Sequence, residues 1–150
     1  MANYDNQMAD RVWQRVRSTG ERTELNLQGL IQQEAMGAAG YQQLARMLGG
    51  RDGALLEKIA REELDHAACL RGICKIMRGD CPGGKIPRPV GENPGVMLRR
   101  AFAGELKSIG EYEALTSHPE YGHIFASLAG QERAHSRIVL EILGRVEKLK

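Results

Sequence analysis

Apolar residues recur along this chain at three- and four-residue steps, the spacing of one helix face, and strand-like alternation is missing. The first long stripe runs from about Thr23 to Leu48 through Leu27, Leu30 or Ile31, Ala38, Tyr41 and Ala45, and Gly49–Gly50 ends it. Asp52 reads as the N-cap of a second helix, about 53–78, striped by Leu56, Ile59, Leu70, Ile73 and Met77. The segment GDCPGGKIPRPVGEN is too rich in glycine and proline to be helical. Asn93 and Pro94 then give an N-cap and first-turn signal for a third helix, to about Ser117, with Leu98, Phe102 or Ala101, Ile109 and Tyr112 on its stripe. His118–Pro119 repeats the device for a fourth helix that continues to the C-terminus through Phe125, Leu128, Ile138 and Ile142. A shorter amphipathic stretch, roughly 4–17, carries Tyr4, Met8, Val12 and Val16, and Ser18, Thr19 and Gly20 break it. The pattern predicts an all-α fold. A four-helix bundle over 21–150 has a long crossover between helices 2 and 3, and an N-terminal helical extension over 1–20 precedes it.

Each stripe is interrupted near its middle by groups that do not belong in an apolar face. These are Glu34, then Glu63 and His66, then Glu105, then Glu132 and His135. The interruptions repeat. EAMGAAGYQQL (34–44) aligns with ELKSIGEYEAL (105–115), matching Glu34 to Glu105, Tyr41 to Tyr112 and Leu44 to Leu115. EELDH (62–66) aligns with QERAH (131–135), matching Glu63 to Glu132 and His66 to His135. The offsets are 71 and 69 residues, a difference that short turns absorb. Each half is therefore a helix hairpin with one Glu and then a Glu-x-x-His, and residues three apart share a helix face. A single Glu-x-x-His is common by chance, and an isolated pair beside Glu62 and Asp65 would read as surface. The duplication is what turns the stripe inward.

Four carboxylates cannot be buried together as bare charges. Two divalent cations would neutralise them, and two neutral imidazoles would add ligands without charge. Mixed oxygen and imidazole donors suit iron or manganese better than structural zinc. Six ligands leave open positions on two ions, which points to dioxygen or peroxide chemistry. Composition sets limits on the alternatives. A net charge of +2 gives no field for nucleic acid or an anionic membrane. No apolar run approaches the roughly 18–20 residues of a membrane span. The first residues lack a secretory signal pattern, and three cysteines do not make a disulfide framework, so a cytoplasmic protein is expected.

The constellation resembles the ferritin-like di-iron carboxylate proteins, and within them the rubrerythrins, over roughly residues 24–148. The resemblance implies a ferritin-like bundle whose ligands are Glu34, Glu63, His66, Glu105, Glu132 and His135. It implies two iron ions, with manganese or a mixed pair as the alternative. It implies an oxidoreductase whose four glutamates carry the catalysis on hydrogen peroxide or dioxygen, as a peroxide reductase or ferroxidase. The alternatives are a ferritin-like iron storage or sequestration protein and a manganese catalase-like protein. An external electron donor such as a rubredoxin-like protein and a homodimer follow from the same likeness. Two departures stand out. The two Cys-x-x-Cys pairs of a rubredoxin-like domain are missing, and Ser108 occupies the place of an additional carboxylate one turn after Glu105.

The remaining candidates are subsidiary. Tyr41 and Tyr112 are expected as core aromatics whose hydroxyls reach ligand carboxylates. Gly37, Gly40, Gly104 and Gly110 flank the ligands in mid-helix, where glycine costs about 1 kcal/mol relative to alanine, and fit close helix approach or oxidant access. Cys69 is expected on the site face one turn past His66, and Cys74 lies further along with Cys81 in the loop. Inert thiols are the simpler reading, and an electron relay is the functional one. His118 and His123 are expected to be exposed.

Overall fold

The computed structural model describes residues 27–148 except Pro82. The expected N-terminal helix, with Trp13, and the start of the first long helix lie outside the described residues. Among the described residues the secondary structure is four α-helices and no strand: α1 (27–48), α2 (Gly50–Arg78), α3 (Pro94–Glu113) and α4 (Gly122–Lys148). This is the all-α bundle that the stripes predict.

The core divides into two apolar clusters with a polar layer between them. One joins Leu27 and Leu30 of α1, Leu70 and Ile73 of α2, Tyr112 of α3 and Phe125 of α4. The other joins Leu44 of α1, Leu56 and Ile59 of α2, Leu98 of α3 and Ile142 of α4. The start of α1 thus shares an end of the bundle with the end of α2, the end of α3 and the start of α4. Helices α1 and α4 run one way, and α2 and α3 the other. Because α2 finishes at the first cluster and α3 begins at the second, segment 79–93 travels the length of the bundle.

The helix ends correct two expectations. Asp52 does not cap α2. The helix opens at Gly50, with Gly49 as its cap residue and no side-chain cap bond. Gly49 and Gly50 have φ of 62° and 58°, so the glycine pair reverses the chain at once and leaves no room for a separate capping turn. Asp52 lies in the first turn of α2 and accepts from Arg145 Nη2 at 2.7 Å instead. The third helix ends at Glu113, short of Ser117, as Leu115 and Thr116 fold into turn bonds to Tyr112 and Glu113. Its start is as expected, with Asn93 Oδ1 accepting from Gly95 N at 2.8 Å beside Pro94. His118 is half-buried, not exposed. Its Nδ1 accepts from the backbone of Glu120 and Tyr121 at 3.2 and 3.1 Å, so the imidazole organises the turn that leads into α4. His123 is exposed, as expected.

Helices α1 and α2 approach closely at Gly53, where an added Cβ would stand 2.7 Å from the carbonyl oxygen of Ala45. Gly53→Ala should therefore destabilise the protein by about 1–3 kcal/mol, the cost of forcing backbones apart, as read by chemical denaturation.

Candidate metal centre

All six interruptions of the stripes are buried. Relative exposures are 2% for Glu34, 4% for Glu63, 3% for His66, 4% for Glu105, 1% for Glu132 and 1% for His135. They form the polar layer between the two apolar clusters, and the surface reading of Glu63 and His66 fails.

The donors gather into two overlapping groups. Glu34, Glu63, His66 and Glu132 each offer one atom within 4.8 Å of the others, and so do Glu63, Glu105, Glu132 and His135. Glu63 and Glu132 belong to both groups, whereas Glu34 and Glu105 each belong to one. Two cations held in these groups would have Glu63 and Glu132 in common, with Glu34 and Glu105 as the terminal members, one to each group. The imidazoles face each other across the layer, with centroids 5.7 Å apart.

Both imidazoles present Nδ1 inward. His66 Nδ1 is 2.8 Å from Glu132 Oε1 and 3.5 Å from Glu34 Oε2. His135 Nδ1 is 3.0 Å from Glu63 Oε1 and 3.8 Å from Glu105 Oε1. The outward nitrogens meet groups that the sequence reading did not single out. His66 Nε2 lies 2.5 Å from Gln131 Oε1, and His135 Nε2 lies 2.6 Å from Glu62 Oε2. With the proton assigned to Nε2, each imidazole donates outward and keeps the Nδ1 lone pair for the interior, the tautomer a metal ligand needs. A signal was present: Glu62 and Gln131 occupy the same place in EELDH and QERAH. Each residue serves the histidine of the opposite half, a relation that no single-helix pattern displays.

The tyrosines also cross between halves. Tyr41 donates to Glu105 Oε1 at 2.5 Å, and Tyr112 donates to Glu34 Oε1. Each fixes one oxygen of a terminal glutamate and leaves the other bare. Glu34 Oε2, Glu105 Oε2, Glu132 Oε1 and His66 Nδ1 are buried without a hydrogen-bond partner. For the last two, the 2.8 Å separation lacks hydrogen-bond alignment. Orphaned buried acceptors of this kind are costly, and carboxylate and imidazole donors are what iron or manganese takes. The residues present fit a pair of divalent cations.

Without such charge the cluster must hold protons. Burial first, then the neighbouring Glu34 carboxylate, drives the Glu63 carboxyl far above the usual carboxylate range. Burial also pushes Glu34 up, but its neighbours His66, Glu63 and Tyr112 outweigh it and leave Glu34 below its ordinary value. Glu105 is pushed up to about 9 by burial and by Glu132. Burial opposes charge on His66, yet Glu132 and Glu34 raise it to about 10. Both tyrosine hydroxyls are driven up by burial and by their glutamate partners, so both keep their protons.

The other candidates separate. Ser108 is buried beside Glu105. Gly37, Gly40 and Gly104 line a cavity that reaches the cluster, and Gly110 does not. Cys69 is exposed, contrary to expectation, because the buried stripe continues from His66 through Ala67 and Leu70 and drifts away from it. Cys74 is buried in the first apolar cluster, with Cys81 packed against the same cluster. No protein-family model matches this chain, and neither does any curated protein.

The protons held by the cluster make its stability depend on pH. Glu105 and His66 hold protons in the folded chain that they would release at about 4.5 and 6.5 when unfolded. Folded protein then binds more protons than unfolded, so stability falls as pH rises through this window. The melting temperature of metal-free protein, followed by circular dichroism, should drop steadily from pH 6.5 to about 9. Metal uptake displaces these protons and should tighten over the same range.

Proposed function

We propose that this protein is a dinuclear-metal oxidoreductase, most simply di-iron, of the ferritin-like, rubrerythrin-like kind, acting on hydrogen peroxide or dioxygen. One observation carries the reading: two buried donor groups of four residues that share Glu63 and Glu132. A merely structural ion needs one closed site, whereas this arrangement offers two adjacent sites with six protein ligands between them, leaving positions for a small oxidant. Bound redox-active ions would supply the two electrons that, with two protons, convert hydrogen peroxide to two waters, and an external donor would restore them.

The chain's own residues do the rest. Glu34 and Glu105 close the two ends of the centre, each held by a tyrosine hydroxyl on one oxygen. His66 and His135 turn Nδ1 inward while Gln131 and Glu62 hold their outer nitrogens. The apolar clusters pack against the layer on both sides. Manganese is served by the same donors, so metal identity is a matter of measurement.

The test begins with elemental analysis and anaerobic titration of the ferrous protein with peroxide. About two iron atoms per chain, oxidised rapidly, support the reading. About two manganese atoms with peroxide disproportionation favour the manganese form, and no metal after reconstitution overturns both. The shared and terminal glutamates should also differ. Glu34→Ala should retain about one ion per chain, whereas Glu132→Ala should lose most of both, since Glu132 serves both groups.

A further inference from the structure

A cavity of about 450 Å³ opens between α1, α3 and the crossover and ends on the carboxylates of Glu63, Glu105 and Glu132. Its size exceeds the needs of dioxygen or peroxide: a water-sized molecule occupies roughly 30 Å³ of liquid, less than a tenth of this space. It falls instead in the range of pockets that hold small organic ligands, roughly 300–1,000 Å³.

Small residues keep it open toward the cluster. The positions three residues after Glu34 and Glu105 are Gly37 and Ser108, and both line the cavity. A Cβ at Gly37 would stand 3.3 Å from Glu63 Oε2, so any larger side chain there would cover that carboxylate. Gly40 and Gly104 also face the space, and a Cβ at either would meet nothing within 4 Å. The walls are apolar, with Leu44, Met97 and Val90 among them. The crossover supplies the roof through Pro87–Val90, which explains a use for its path along the whole bundle.

Charge at the mouth is positive. Arg88 and Arg100 both line the cavity. Arg100 is committed to Glu92, at 2.9 and 3.1 Å, whereas Arg88 has no ion-pair partner among the described residues. We propose that this cavity binds a small organic acid with an apolar body, its carboxylate at Arg88 and its tail against the glutamate cluster. The inference rests on the proposed function only for what the tail would meet at the cavity floor.

The probes are octanoate and 1-octanol, titrated calorimetrically into the full chain, metal-free and zinc-loaded. Octanoate should bind both forms. A Cβ at Gly104 enters open space, so Gly104→Leu should fill the cavity and weaken octanoate at least ten-fold, while Gly72→Leu, outside the cavity, should not. Arg88→Gln should weaken octanoate two- to five-fold, the worth of a partly exposed ion pair, and leave 1-octanol unchanged. Failure of octanoate to bind, or equal binding by Gly104→Leu, overturns the proposal. Metal content of the same samples separates the two readings. Two metals without octanoate binding overturn the pocket alone, and octanoate binding without metal uptake overturns the proposed function alone.

Discussion

Four carboxylates and two imidazoles are held in one buried layer, and the rest of the structure answers to that constraint. Like charges at this distance in a water-poor interior cannot all stand ionised. The metal-free chain meets the problem with protons: Glu63 stays neutral, Glu34 stays charged beside it, and His66 carries a positive charge between two acids. Even so, four donor atoms remain without a partner. The tyrosines, Glu62 and Gln131 then make sense as supports that spend the outer valences of the cluster and leave the inner ones bare.

Much of this was legible in the sequence, because burial leaves a periodic trace. Helix stripes need only the 3.6-residue period, and the six polar interruptions stand out because both hairpins break their stripes at matching places. Other features leave no such trace. Asp52 is a good N-cap by residue type, but two glycines at positive φ decided where α2 begins. Cys69 is three residues from His66, and a helix face drifts, so Leu70 took the buried place. The partners of the outer imidazole nitrogens were hidden because each belongs to the other hairpin. Which glutamates are shared between the two groups is likewise a property of four helices at once, not of any one.

The likeness of the halves is not complete, and its breaks are informative. Glu62 on one side answers to Gln131 on the other, so one imidazole leans on a charge and its counterpart on an amide. A carboxylate makes the imidazole it holds a stronger donor to a cation. The two halves of the centre are thus built alike in position and unlike in electronic character.

The path of segment 79–93 has a consequence for how the polar layer is assembled. Neither hairpin holds a complete donor group: each group in the layer draws on residues from both sides of the crossover. A single hairpin associating with a second copy of itself, related by a two-fold axis, would assemble the same six donors. The crossover supplies that second hairpin from within the same chain. It converts what would be a bimolecular encounter into an intramolecular one.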